Sequence, residues 1–347
     1  MKLVLHKRRT QPLLLAGLFA FLLGAGMLWL LRSGQQATTV NRDAAEHGNG
    51  SSRIMVTDYL GRQVWLDAAA QRIVALSPHI VENLFSAGLG ERIVATVNFA
   101  DFPATAKAIP RIGGISHFSR EAILQYNPDL VIGWAAGYQG FSGLLQQLEA
   151  LGVPVYADDP RSFNDIARSI TDFATLARLE PPLDRLERRL HQPLQQLARE
   201  YKHASPQPVK VLYEIWHEPL QTLNKEHLVN QAIELCGGQN IFADAHVLAP
   251  KISLEAVLAA NPEVIVASAS SAARPQTLDN WLRWPSITAV ANRQLYFVHG
   301  DLLSRHTLRM VEGVNVLCQH IASARQQRNT VAADTVLAEN QSKQAVP

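Results

Sequence analysis

Apolar residues along this chain fall into short runs separated by helical and turn signals, and one such arrangement occurs twice. Ser119-Arg-Glu121-Ala-Ile-Leu-Gln-Tyr-Asn127-Pro128-Asp129-Leu-Val-Ile132 returns 134 residues later as Ser253-Leu-Glu255-Ala-Val-Leu-Ala-Ala-Asn261-Pro262-Glu263-Val-Ile-Val266. Each copy predicts a Ser-capped short helix with Glu at its start, a stop at Asn-Pro and a buried strand. One unit in each half predicts two similar lobes, and a cleft between lobes is where small ligands bind.

The rest of the pattern fits that plan. Ile54 to Leu66 alternates around Tyr59-Leu60-Gly61 and predicts a β-hairpin. Arg72–Leu76, Ile93–Val97, the repeat ending at Trp134 and Val153–Ala157 read as buried strands. Helices start at Ser77-Pro78 and lie near Gly143–Leu151, and strands alternating with helices at this spacing indicate parallel sheet. From Ser162 to about His203 the pattern is helical, broken at Glu180-Pro181-Pro182. Its second part, Leu183 to Lys202, puts Leu183, Leu186, Leu190, Leu194, Leu197 and Tyr201 on one face, with a kink predicted at Pro193. The second lobe follows with strand Val209–Ile215, helix Val229–Cys236, the second repeat, strand Gln294–Val298 and a last helix through Cys318. The expected architecture is α/β, two lobes with mainly parallel sheets joined by a single long backbone helix. Its divisions are a membrane segment at 1–32, a tether at 33–52, lobes at 53–160 and 207–325, linking helices at 161–206, and a disordered tail at 326–347.

Charge changes the picture at the N-terminus. Residues 1–32 hold five Lys or Arg and no acid, leaving 27 basic against 30 acidic residues in the body, which disfavours nucleic acid as a partner. Leu13 to Leu31 is an uncharged, largely apolar run of 19 residues, long enough to span a bilayer. The reading is an uncleaved inner-membrane anchor with the body in the periplasm, and a cleaved signal is the alternative. Two cysteines, Cys236 and Cys318, in an exported chain are a disulfide or a pair of buried thiols.

Val56-Thr-Asp58, Gly61-Arg62, Arg72-Ile-Val-Ala-Leu-Ser77-Pro78 with Glu82, Asp101-Phe-Pro103, Ile112-Gly113-Gly114, the two repeats and Cys236-Gly237-Gly238 with Asn240-Ile-Phe242 follow one another in order. This ordered set resembles the metal-chelate class of substrate-binding proteins of ABC importers, from about Val56 to Ala324, and within it the cobalamin-binding members. The resemblance implies a corrinoid (cobalamin) held between the lobes and delivered to an ABC permease dimer. It implies ligand-covering rings at Phe99 and Trp134, an Asp and Arg at the ligand rim at Asp301 and Arg305, permease-docking glutamates at Glu121 and Glu255, and a Cys236–Cys318 bond. Gln221 and Ala249 stand where those members carry a Phe and a Trp, with Trp216 and Tyr213 close enough in sequence to compensate.

Plainer roles compete for the same residues. Trp134 at a strand end suits a core aromatic, Asp301 and Arg305 a surface ion pair at helical spacing, and Glu121 and Glu255 helix-start carboxylates. His117 could serve as an axial ligand to the ligand's metal or simply be solvated. The sequence shows no His-Glu-x-x-His, Cys-x-x-Cys, Gly-x-Ser-x-Gly or phosphate loop, so neither an enzyme nor a resident metal or cofactor is expected. The alternatives are a ferric siderophore or haem binder on the same scaffold, or an anchored ligand sensor.

Overall fold

The computed structural model describes residues 53–114, 119–136, 141–269 and 273–344. The expected membrane segment and tether, and His117, lie outside the described residues. Among the described residues no helix is long and apolar enough to cross a membrane.

The first lobe opens with an antiparallel hairpin, β1 (Ile54–Thr57) and β2 (Gln63–Leu66), whose alternation buries Ile54, Val56, Val64 and Leu66. The Asp58 carboxylate closes its turn by accepting from the amides of Leu60 and Arg62 at 3.0 and 2.9 Å. Then come β3 (Ile73–Ala75), α1 (Pro78–Ser86), β4 (Ile93–Thr96), α2 (Arg120–Leu124), β5 (Leu130–Trp134), α3 (Phe141–Glu149) and β6 (Val155–Asp158). The four strands from β3 to β6 pair in parallel in the order β4-β3-β5-β6.

After α4 (Phe163–Leu176) and the Pro181-Pro182 break, the chain is helical from Leu183 to Tyr201, but not as a single backbone α-helix. It consists of α5 (Leu183–Leu186), a π-helical turn (Glu187–His191) and α6 (Gln192–Tyr201). Pro193 is the physical reason. It has no amide hydrogen for an i−4 bond, its ring crowds that carbonyl, and the wider π turn just before it relieves both. The expected apolar face holds at Leu186, Leu190, Leu194 and Leu197, which are buried, whereas Leu183 in the first turn is exposed.

The second lobe contains β7 (Val209–Glu214), β8 (Trp216–His217), β9 (Leu220–Gln221), α7 (Leu228–Leu235), β10 (Gly238–Asn240), α8 (Leu254–Ala260), β11 (Val264–Ala269), α9 (Thr288–Ala291), β12 (Leu295–His299), α10 (Gly300–Leu303) and α11 (Met310–Gln344). Its parallel sheet runs β10-β7-β11-β12, the same relative order as in the first lobe. The last helix continues to Gln344, where the sequence pattern predicts a disordered tail after Arg325. Residues 326–344 contain no Gly or Pro, and Arg325 and Arg328 tie the helix to the carbonyls of Cys236 and Gln207, each at 2.9 Å.

The repeat is conserved down to its hydrogen bonds. The Ser119 and Ser253 hydroxyls accept from Ala122 and Ala256 N–H at 3.1 and 3.2 Å. Asn127 and Asn261 both end their helices at φ 46°, a left-handed conformation that Asn tolerates better than most residues. The Asp129 carboxylate then receives the Gln71 and Arg72 amides at 2.8 and 2.9 Å, and Glu263 receives the Lys210 amide at 2.9 Å. In each lobe the acid after Asn-Pro therefore pins the start of the neighbouring strand.

Strand alternation sorts the core. Ile73, Ala75, Val211 and Tyr213 face one apolar cluster that also takes in Phe173, Leu190 and Ile321 and so joins both lobes. Val74 and Leu212 face separate clusters on the outer side of each sheet.

Cys236 and Cys318 are bonded, tying the end of α7 to α11 across 82 residues of chain. In the chain-entropy description such a closure contributes about 4 kcal/mol. Protein prepared from the periplasm is expected to show no alkylatable thiol by mass spectrometry. A Cys236→Ser, Cys318→Ser variant is expected to lose about 2–5 kcal/mol in denaturant unfolding.

Candidate functional site

The candidate side chains of the interlobe region gather at the carboxyl ends of the parallel strands, where open α/β sheets bind ligands. Trp134 is the last residue of β5. Its Nε1–H donates to Asp159 Oδ1 at 3.2 Å, and the His79 ring meets it edge-on with centroids 5.4 Å apart. Just before it, Gly133 lets the Phe141 ring pass so close that a Cβ would stand 2.1 Å from a ring atom. His79 is itself held on both sides, Nδ1 by the Ser77 hydroxyl at 2.7 Å and Nε2 by Asp158 at 3.0 Å. Asp158 also accepts from Ser169 at 2.6 Å. Ser77, His79 and Asp158 have the residue types of a hydrolytic triad, but all three are buried. Their role is to fix the imidazole, and through it the tryptophan.

The second anchor crosses between the lobes. Arg305, following α10, donates to Glu82 Oε1 at 3.0 Å, Asp101 Oδ1 at 3.1 Å and the Phe99 carbonyl at 3.0 Å, and pairs with Asp301 Oδ1 at 3.0 Å. Glu82 is buried in α1 of the first lobe and also receives the Thr307 hydroxyl and Arg309 at 3.1 and 3.3 Å. Burial pushes the Glu82 carboxyl above its ordinary range, against the pull of Arg305 and Arg309. Asn83 adds a bond from Nδ2 to the His306 carbonyl at 3.0 Å. Phe99 has a left-handed backbone, φ 66°, held where its carbonyl meets Arg305, and its ring is 73% exposed. Arg305 and Asp301 thus sit together, with Arg305 committed to the seam. Glu82 is the partner absent from the sequence-derived candidates, and its only signal in the sequence is its place in the Ser77-Pro78 motif.

Between these anchors lies a cavity of about 310 Å³, lined by Trp134, Ile215, Leu223, His227, Ala249 and His306 among others. Gln231 Nε2 donates to the carbonyl of the cavity-lining Arg161 at 3.0 Å, and Arg161 lies 3.8 Å from Glu226. Ala249 leaves room at the wall. Trp216 is 62% exposed and lines a neighbouring cavity of about 320 Å³, with Ile215 shared between the two. Tyr213 does not compensate for a missing ring, because as a central-strand residue it is wholly buried, with its phenol pushed up to about 12 by desolvation. Among the described residues no three His, Cys, Asp or Glu side chains are grouped to hold a metal ion.

Glu121 and Glu255 occupy equivalent positions in α2 and α8, and both are exposed. Their backbone amides lower both carboxyl pKa values, helped at Glu121 by Arg120 at 2.8 Å and at Glu255 by Ser253. Both acids are therefore ionised at neutral pH.

Burial lowers the pKa of His227 to about 4 and that of His306 well below the usual value, with His227 and His79 adding repulsion at His306. A histidine depressed on folding contributes stability that is complete above the unfolded pKa near 6.5 and is lost as pH falls toward the folded value. His227 alone accounts for up to about 3 kcal/mol of loss between these limits. His227→Asn keeps a side-chain acceptor for the Val229 amide but does not titrate. Its unfolding free energy is expected to fall less steeply than that of the unaltered protein between pH 6.5 and about 4 in urea titrations. Equal slopes would refute the assignment.

The sequence profile of the periplasmic binding proteins matches residues 73–302. The vitamin B12-binding protein of Vibrio cholerae serotype O1 is 32% identical over 259 residues, 74% of this chain and 91% of that one. Its Yersinia pestis namesake is 31% identical over 260 residues, 74% and 88% of the two chains. Among solved structures, the periplasmic vitamin B12 binding protein of Vibrio cholerae aligns with a TM-score of 0.65 at 32% identity, covering 74% of this chain and 98% of that chain. A periplasmic heme-binding protein from Roseiflexus sp. RS-1 aligns at 0.61 with 26% identity, covering 74% and 99%. With its two matched parallel sheets, ligand-type residues at their carboxyl ends and a profile match over most of its length, the chain belongs to the periplasmic binding protein family.

Proposed function

We propose that this protein captures a corrinoid, cobalamin, in the cleft between its lobes and delivers it to an ABC permease dimer. The observation that carries this reading is Trp134, an aromatic ring braced by His79 and Asp159 at the wall of a largely apolar interlobe cavity. A corrin is a broad apolar disc edged with amides, so a fixed ring suits its face and Phe99, exposed on the first lobe, suits its edge. Asp301, held by Arg305, offers a carboxylate to an amide at the rim. The relatives named for vitamin B12 support the same ligand. Haem is the second reading, supported by the haem-binding neighbour on the same scaffold. The run Leu13–Leu31 supports an inner-membrane anchor that keeps the body in the periplasm.

Calorimetry of the full-length protein is expected to give one-to-one binding of cyanocobalamin, and Trp134→Ala is expected to weaken it by about 1–3 kcal/mol. Binding of haem or a ferric siderophore with no heat from cyanocobalamin would move the protein to the second reading.

Delivery rests on Glu121 and Glu255, exposed at matched helix starts of the two lobes, as a charge pair for arginines on the two permease subunits. Reversing both replaces attraction with repulsion at a charged interface. Glu121→Arg with Glu255→Arg is expected to abolish cobalamin uptake in cells while calorimetry still shows unaltered ligand binding. Uptake at the unaltered rate would leave the two glutamates as helix-start residues and favour a sensor role.

A further inference from the structure

Two histidines in the interlobe cavity have their ring nitrogens sorted into a donor and an acceptor. His227 accepts the Val229 amide at Nδ1, at 3.2 Å, so its hydrogen sits on Nε2 and that nitrogen is a donor. His306 is the reverse. Its ring donates to the Pro160 carbonyl, and its buried Nε2 has no partner, so Nδ1 carries the hydrogen and Nε2 presents a lone pair. The two rings stand 5.1 Å apart between centroids, and both line the cavity.

A donor beside an acceptor complements a primary carboxamide, whose oxygen accepts and whose NH2 donates. A carboxylate has only acceptors and would face the His306 lone pair. The cavity's cation does not offset this, because Arg161 is already paired with Asp159 at 2.9 Å. Desolvation keeps both imidazoles neutral, so neither supplies a positive charge.

We propose that His227 and His306 form a carboxamide-reading subsite that selects an amide arm of a corrinoid and rejects a carboxylate-edged macrocycle. This inference rests on the corrinoid reading above. A buried acceptor without a partner is costly, and the ligand's amide would relieve that cost on binding.

The test is calorimetry of the full-length protein at mildly alkaline pH with cyanocobalamin and its monocarboxylic acids, each having one peripheral amide hydrolysed. At least one acid is expected to bind roughly ten-fold or more weakly than the parent. In His306→Phe that gap is expected to shrink to within roughly three-fold, whereas His306→Gln, which restores an acceptor oxygen, keeps it. His227→Leu, which removes the donor, serves as an independent second variant and is expected to weaken parent and acid alike while leaving the gap in place, because an amide oxygen and a carboxylate oxygen both accept from His227. Equal affinity for all the acids and the parent overturns the subsite, as does a gap that His306→Phe leaves unchanged or an affinity for the parent that His227→Leu leaves unchanged. Absence of cyanocobalamin binding with heat from haem overturns the corrinoid reading itself, an outcome distinct from cyanocobalamin binding that ignores the amide.

Discussion

A buried carboxylate in one lobe must find its counter-charges in the other, and the cleft is organised around that requirement. Glu82 sits in α1 with almost no access to water, and its partners Arg305, Thr307 and Arg309 all come from the segment after α10. Removing one side of such a pair leaves a desolvated charge and costs about 3–5 kcal/mol. The seam therefore fixes the spacing of the lobes at one edge, and with it the Phe99 loop, whose carbonyl Arg305 also holds. A ligand entering between the lobes meets walls already set in position.

The same logic governs the rings. An aromatic side chain binds a flat ligand well only if its orientation is settled beforehand, since ordering it on binding costs affinity. Trp134 is settled by a chain of buried polar groups, Ser77 to His79 to Asp158 to Ser169, which satisfy one another and leave the His79 edge against the indole. Most polar groups this deep are paired. Here the pairing braces the Trp134 ring.

The two lobes carry one plan twice, and the repetition is physical as well as sequential. The same Ser cap, left-handed Asn and strand-pinning acid recur around α2 and α8, and both sheets place their first strand next to the third. The lobes differ in the side chains they carry at the carboxyl edges of their sheets. At the carboxyl edge the first contributes Trp134 and Phe99, and the second contributes Asp301, Arg305 and the two cavity histidines.

The amino-acid sequence by itself determined the local elements. Alternation, Ser caps and Asn-Pro stops depend on neighbours a few residues away, so strands, helices, the two-lobe repeat and the apolar face from Leu186 to Leu197 are legible in it. Trp134, Asp301 and Arg305 were candidates only through the resemblance to the cobalamin-binding members, and the two cysteines through being a lone pair in an exported chain. Tertiary structure alone decided what each residue meets. Glu82 and Arg305 are 223 positions apart, and His79 and Asp158 are 79 apart, separations over which no periodicity carries information. Burial of Tyr213 depends on β7 lying inside its sheet, and burial of the leucine face from Leu186 to Leu197 depends on the cluster shared by both lobes. These contacts are settled by which surfaces come together when the lobes close on a shared core, a property of the folded whole that no short stretch of chain contains.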